Sequence, residues 1–377
     1  MKIELTRQQK EAKSAFRAFA DKEIFPYADQ FDQEEKIPAE LIQKLAQKKY
    51  LGAMLPQEVG GLGLDMITVG LLNEEIGRAC SSIRSLLTVH GMVSAAILRW
   101  GSPHQKETWL PKLASGEIIG AFALSEPQAG SHASAIETTA DSCDDVYILN
   151  GQKKWITYGQ IADLFLLFAQ CQGMPSAFLV PRNTPGLTTK PLHGLLGTRA
   201  SMLAEVHLDA CRIPKENLVG GVGFGISAVA LSALDLGRYS VAWGCVGIGQ
   251  ACLEASLKYT SERKQFGQYI KEHQLIQQMI TNMVTHVKAA RLLCYQAGYL
   301  KDINDPTATT ETLVAKYFAS MMASQVASDA VQIHGGNGCG SQYPVQRYFR
   351  DAKVMEIIEG SHQMQQIMIA KMAYTAM

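Results

Sequence analysis

The stretch QIHGGNGCGSQYPVQRYFRDAKVMEIIEGSHQMQQ, residues 332–366, joins two helical patterns through a run of glycines. Gly335 and Gly336 form a turn at which backbone can approach a phosphate closely. Glu359 stands directly before Gly360 and Ser361, and Ser361 is placed to begin a last helix. Ahead of this stretch, apolar residues recur three and four apart through AVALSALDLGRYSVAWGCVGIGQACLEASLKYTSE, HQLIQQMITNMVTHVKAARLLCYQAGYL and TLVAKYFASMMASQVASDAVQIHG. That period predicts helices from the glycine-rich GGVGFG to the end of the chain, a domain over 220–377.

Further upstream the texture changes. Between residues 121 and 219, short alternating or β-rich runs (DVYILNGQKKWIT, ADLFLLFAQ, SAFLVPR, GLTTKPL, MLAEVHLDACRIP) alternate with Gly, Pro and Asn turns, which predicts a β domain. Residues 1–120 are helical again, through EAKSAFRAFADKEIFPYADQF, PAELIQKLAQKKYLGAML and MITVGLLNEEIGRA, with loops at PQEVGGLGLD and WGSPHQ. The class is α+β in the order α, β, α. No internal repeat or long linker separates the regions, so they are expected to share one body with a ligand cleft between them.

Of the 377 residues, 35 are Lys or Arg and 35 are Asp or Glu, so no net field favours nucleic acid or an anionic membrane. No apolar run approaches the ~18 residues of a membrane span, and the start MKIELTRQQK is a polar helix rather than a signal peptide, so a cytoplasmic protein is expected. The eight cysteines are scattered, without a CxxC pair or histidines at metal spacing, and read as reduced, buried thiols with no metal.

Three more segments carry chemistry. AFALSEPQAGSHAS (121–134) bends at Pro127 and Gly130 and presents Ser125 and Ser131 beside exposed amides, which suits phosphate or ring contacts. LNGQKKWITYGQIAD (149–163) reads as a hairpin at Asn150-Gly151 that delivers Trp155 and Thr157 on one strand face. In SERKQFGQYIKEHQLIQ (261–277), Arg263 can pair with phosphate, Phe266 and Gly267 end a helix, and Gln274 opens the next.

These four segments, in this order and spacing, resemble the signature blocks of the acyl-CoA dehydrogenase family. The resemblance runs nearly end to end and includes LPQEVGGLGLD and HQKETWLPKLASGEIIGAFALSEP. It implies an N-terminal helical domain, a β-barrel-like middle domain and a C-terminal four-helix bundle. It also implies FAD as cofactor and dehydrogenation of an acyl thioester, in which a carboxylate takes the α-proton while a hydride leaves the β-carbon for the flavin.

By resemblance the base is Glu359, in IIEGS. Some relatives place it instead at the position of Gly237, which has no side chain to serve. Glu356 reads as a solvent-facing or ion-paired carboxylate. The main-chain N–H of Glu359 and a flavin hydroxyl would stabilise the enolate-like oxygen, each such donor being worth about 3–4 kcal/mol. FAD contacts carried over are Phe122, Leu124, Ser125, Gly130, Ser131, Trp155 and Thr157, with Ser361 and Gln363 beside the cofactor. Arg263, Phe266, Gln274, Gln332 and Gly336 would meet the FAD of a neighbouring subunit, which implies a homodimer or homotetramer.

Three departures bear on substrate. His132 stands where the family's AGS block usually continues with Asp, Ile358 replaces the aromatic residue before the base, and Arg84 lies in CSSIRSLLTVHGM, the helix that lines the acyl pocket of relatives. Arg84, His90 and Arg238 are the substrate-binding candidates. Arg84 and His90, six apart, do not share a helical face. Arg84 is either a surface or snorkelling arginine or a cation that reads a polar or carboxylated acyl group.

CSSIRS, GRYSVAWGCVGI and AKVMEIIEGS resemble the branch that oxidises units bound to an acyl carrier protein in polyketide assembly, such as the hydroxymalonyl-ACP dehydrogenases. The expected partners are then an acyl carrier protein, or CoA, on the substrate side and an electron-transfer flavoprotein or oxygen as acceptor. A short-chain acyl-CoA dehydrogenase of catabolism, a prolyl-carrier-protein dehydrogenase and a catalytically silent binding subunit are the alternatives.

Overall fold

The computed structural model describes residues 4–375. Six helices come first: α1 (Arg7–Glu23), α2 (Ala28–Glu34), α3 (Ala39–Gln47), α4 (Met66–Ala79), α5 (Ser81–Trp100) and α6 (Pro103–Ser115). Their starts are set by local chemistry. Thr6 and Gln9 cap α1 reciprocally, Asp65 accepts the Thr68 N–H to open α4, and Ser102 with Gln105 caps α6. Only Gly101-Ser102 of WGSPHQ is a loop: Pro103 occupies the first turn of α6, where its missing N–H is harmless. One helix, α5, has the length and hydropathy of a membrane span, but 89% of that window is buried inside the protein. It is the core helix of this region, and it carries Arg84 and His90.

The middle region is built from β1 (Gly120–Ala123), β2 (Thr139–Cys143), β3 (Val146–Ile156), β4 (Leu164–Cys171), β5 (Met174–Pro181), β6 (Leu187–Pro191), β7 (Ala204–Pro214) and β8 (Leu218–Val219). The strands pair in the order β6-β7-β3-β2-β4-β5-β8, with β1 added parallel to β4. β4 is buried along nearly its whole length, as the unbroken apolar run LFLLFA requires.

Asn150-Gly151 is not the expected hairpin. It lies inside β3 at a bulge against β7, where the Asn150 side chain accepts the Ala210 N–H at 2.8 Å. Gly151 is needed there because a Cβ would stand 2.5 Å from the Thr138 hydroxyl. The hairpin turn falls instead between β2 and β3, with Asp144 at φ 46°.

The C-terminal region holds α7 (Leu231–Glu262), a two-strand hairpin β9 (Lys264–Gln265) and β10 (Gln268–Tyr269), then α8 (Gln274–Asp302), α9 (Ala308–His334), α10 (Val345–Met355) and α11 (His362–Thr375). Phe266-Gly267 is the tip of that hairpin, both residues left-handed at φ 52° and 81°, whereas α7 has already ended at Glu262. α7 is the axis of the fold and packs against α4, α5, α8, α9 and α10. Glycines permit this: a Cβ on Gly247 would strike the α4 backbone at the Glu74 carbonyl, 2.3 Å away.

Candidate active site

Glu359 sits between α10 and α11 in the left-handed conformation, φ 55°, and is followed by Gly360 at φ 90°. Its carboxyl approaches α7 at Gly237, where an added Cβ would lie 2.5 Å from Oε2. Glycine is what leaves room for the carboxylate. Oε2 is buried without a hydrogen-bond partner. Burial pushes the Glu359 carboxyl up, and the charges of Arg238, Arg84 and Lys316 pull against it without cancelling it. A buried acid kept above its usual range is suited to take a proton near working pH.

Glu356, three residues earlier, is ion-paired with Lys353. Burial pushes its carboxyl up, but hydrogen bonds from Lys353 and Ser324 and the charge of Lys353 together outweigh this and hold it below the usual value. It is a structural carboxylate.

Arg84 is 1% exposed, and no carboxylate lies within ion-pair distance of it among the described residues. Its Nη1 donates to Thr88 Oγ1 (2.7 Å), its Nη2 to Ser85 Oγ (3.1 Å), and Nε has no partner. From Thr88 the hydrogen bonds continue to Ser240 Oγ (2.6 Å) and on to Asn73 Oδ1 (2.6 Å), crossing from α5 through α7 to α4. Thr88, Ser240 and Asn73 also line a small cavity of about 30 Å³ shared with Tyr50, Met54 and Leu236. The surface alternative for Arg84 is thus overturned: it is a core cation on neutral partners. A Cβ on Gly244 would meet Arg84 Cδ at 2.7 Å, so base and cation ride α7 seven residues apart, about 10 Å of helix rise.

Arg238 is buried, and its Nε donates to the Glu359 carbonyl at 3.2 Å. It orients the base's own backbone. His90 is not a substrate ligand: its Nε2 meets the Leu113 carbonyl at 3.0 Å and its Nδ1 accepts the Gly120 N–H at 3.2 Å. Both ring nitrogens are occupied, and burial lowers its pKa to about 4, so it is a neutral core histidine tying α5 to α6 and β1.

The other candidates form two groups. In the first, the Lys154 N–H reaches the Ser125 carbonyl at 2.9 Å, which brings the Ser125–Ser131 loop beside Trp155 and Thr157. Trp155 lies in a second bulge of β3 at φ 64° and is 52% exposed, while Thr157 stands just past the strand end, so the two do not share a regular strand face. An indole held outward by its backbone is free to cover a planar ring. Gly130 and Ser131 are exposed. Phe122, partly buried, packs on Phe168, and Leu124 is buried in the same apolar cluster, which leaves chiefly the main chain there to offer a cofactor. Ser361 accepts the Met364 N–H at the start of α11, and Gln363 is exposed one residue into that helix.

The second group surrounds an open pocket of about 1010 Å³ lined by Arg263, Phe266, Gln274, His334, Gly335 and Gly336. Gln332 lies exposed one turn before it on α9. Phe266 is 95% exposed, no side chain caps α8, the Nε2 of the lining residue His273 is buried without a partner, and nothing stands within 4 Å of a Cβ on Gly335 or Gly336. An uncapped helix start, an arginine and bare glycine backbone suit a pyrophosphate, and the exposed ring suits an adenine. The residues therefore fit a dinucleotide. From Gly237 to Glu262 is 25 residues of α7, about 38 Å, too far for one such molecule to serve both ends within a protomer.

Comparisons with known proteins identify the three successive regions. The chain matches the acyl-CoA dehydrogenase N-terminal domain over residues 6–117, the middle domain over 121–211 and the C-terminal domain over 225–374. It is 40% identical to the probable acyl-CoA dehydrogenase YngJ of Bacillus subtilis, covering 98% of this chain and 99% of that one. It is also 40% identical to the mitochondrial short-chain specific acyl-CoA dehydrogenase of Mus musculus, over 98% and 90%. Among solved structures it is similar to a glutaryl-CoA dehydrogenase of Mycobacterium smegmatis in complex with FADH2 (30% identical, TM-score 0.94, 99% and 96% covered). It is also similar to FkbI for biosynthesis of the methoxymalonyl extender unit of Fk520 (33%, TM-score 0.88, 97% and 99%).

Proposed function

Because this chain belongs to the acyl-CoA dehydrogenase family and is an FAD-dependent enzyme of that type, we propose that it oxidises a short acyl thioester bearing a polar or carboxylate group, presented by an acyl carrier protein. The observation that carries this reading is Arg84. Three buried cations, Arg84, Arg238 and Lys316, face one carboxylate, Glu359, whose Oε2 is buried. Arg238 and Lys316 are engaged on the backbone of the Glu359 turn, so Arg84 is the cation left to pair with an anionic ligand. A buried, uncompensated guanidinium disfavours an aliphatic chamber and rewards a carboxylate.

Bound FAD supplies the acceptor for the hydride that leaves the substrate. The protein's part is to hold and act on the acyl group. Glu359 takes the proton from the carbon next to the thioester, its main-chain N–H polarises the thioester oxygen, and Arg84 fixes the far end about two helical turns along α7. Trp155, Ser125, Ser131 and Thr157 bind the flavin end, and the Arg263 pocket takes the adenosine end of a second copy's cofactor, which makes the working unit a homodimer or its doubled form. An electron-transfer flavoprotein or oxygen then accepts the electrons.

The likeness to FkbI supports a substrate of extender-unit biosynthesis, and a likeness to the prolyl acyl carrier protein oxidase AnaB (29% identical, TM-score 0.92) supports a carrier-protein substrate. A second reading is supported by the 40% identity to the mouse short-chain enzyme: a CoA-linked short-chain dehydrogenase of catabolism. Anaerobic bleaching of the bound flavin by butyryl, glutaryl and hydroxymalonyl thioesters, each on CoA and on a carrier protein, separates them. Bleaching by polar carrier-bound groups alone upholds the first reading; bleaching by butyryl-CoA as fast as by any other replaces it with the second.

A further inference from the structure

The turn that carries Glu359 is held from three helices. The Glu359 carbonyl accepts Arg238 Nε of α7 at 3.2 Å and Gln365 Nε2 of α11 at 3.1 Å. The Gly360 carbonyl accepts Gln365 Nε2 at 3.3 Å and Lys316 Nζ of α9 at 2.8 Å. A non-glycine residue at positive φ persists only where its surroundings over-determine it, and these four hydrogen bonds do so.

Lys316 is the unexpected member. It is fully buried, it forms no ion pair among the described residues, and its one hydrogen bond goes to that carbonyl. Removing an ammonium from water for a single carbonyl is unfavourable for folding, so the position is explained by what it does to the turn.

We propose that Lys316 is a positioning residue for the base: its ammonium fixes the Gly360 carbonyl, so that the Glu359 carboxylate and main-chain N–H keep one aim, and it places a positive charge beside that carboxylate. The inference rests on Glu359 being the base. The groups facing Lys316 are Cys245 and Arg238 from α7, Glu356 and Glu359 from the turn after α10, and His362 from α11. Burial draws Lys316 down to about 8, so at neutral pH it carries its charge. With that charge removed, Glu359 ionises less readily and needs a higher pH to act.

The test uses the holoenzymes of Lys316→Met, Lys316→Gln and Glu359→Gln. Flavin reduction is followed against pH with whichever of the butyryl, glutaryl and hydroxymalonyl thioesters reduces the parent enzyme fastest. Lys316→Met is expected to lower the maximal rate about tenfold at little-changed KM and FAD content, and to move the acid limb up by about half a pH unit. Lys316→Gln, which can donate to Gly360 without a charge, should recover most of the plateau rate and keep the displaced limb.

A rate within about twofold of the parent and an unmoved limb in Lys316→Met overturns the inference. If that variant fails to fold, an unmoved limb in Lys316→Gln overturns it equally. Glu359→Gln separates the two failures: an active Glu359→Gln removes the base itself, whereas an inactive one beside normal Lys316 variants removes the role of Lys316 alone.

Discussion

The Glu359 carboxylate rests on Gly237: a methyl group built on that glycine would stand 2.5 Å from Oε2 and 2.8 Å from the sulfur of Met92. Both atoms end flexible side chains, so Gly237→Ala is accommodated by moving the base rather than the helix. Alanine in a helix interior is otherwise favoured over glycine by about 1 kcal/mol. The expected outcome is a thermal midpoint equal to or above the parent's with flavin reduction slowed about 10- to 100-fold. Calorimetry and stopped-flow reduction on the same preparation check it, and a parallel fall in both would mean that the helix, not the base, had moved.

Glu359→Gln should retain FAD and abolish substrate bleaching, a loss of about 10²–10⁴-fold for a general base. Its effect on stability follows from the direction of its shift. The folded state raises the Glu359 pKa, so it favours the neutral acid, and stability declines as pH rises from the unfolded value through the folded one. A neutral amide removes that penalty. Glu359→Gln should be more stable than the parent at pH 7, by roughly 1 kcal/mol, with the difference shrinking toward pH 4. Equal denaturation midpoints at both pH values would contradict the buried, unpartnered carboxylate.

The order of regions and the periodic helices were legible because burial writes a period into sequence, and α7, α8 and α9 carry it. Asn150-Gly151 misled because a dipeptide that suits a hairpin tip also suits a bulge, and the choice was made by Thr138 packing on Gly151, ten or more residues away in sequence. Phe266-Gly267 was the reverse case, a hairpin tip read as a helix end, since both need left-handed backbone. Glu359 was singled out by motif, and Arg84 and Arg238 were named as substrate contacts, but the other polar groups around them were not. Lys316, Ser240 and Asn73 sit on apolar helix faces where only the partner helices say what a polar group is for. The signal available was their misfit with the apolar stripe.

Arg263→Met should weaken cofactor retention without touching the base. Arg263 lies exposed at the C-terminal cap of α7, just before the hairpin, and lines the pocket that holds Phe266 and the α8 start. Losing one charge-assisted contact to a phosphate corresponds to about 1.5–3 kcal/mol, roughly 10- to 150-fold in FAD affinity. Flavin released on gel filtration at low protein concentration measures it, and adding FAD should restore the parent's reduction rate. Loss of rate that added FAD does not restore would place Arg263 in some other role.

Arg84 and Ser240 can be told apart as reader and support. Arg84→Met removes the cation and should cut flavin reduction by carboxylate-bearing thioesters about 100-fold or more, the worth of two charge-assisted hydrogen bonds, while leaving butyryl thioesters within a few-fold. It should also raise the denaturation midpoint, because a buried cation without an anion gives way to an apolar side chain of similar length. Ser240→Ala breaks the chain from Thr88 to Asn73 but leaves the guanidinium in place. Its cost should fall on KM for the carboxylated substrate by a few-fold, through a looser Arg84, with a small loss of stability from the orphaned Asn73 oxygen. Rates measured on both substrate classes decide between these roles. If Arg84→Met slows butyryl and glutaryl thioesters equally, the guanidinium is part of the scaffold around α5 and α7, and the buried positive charge reads no substrate group.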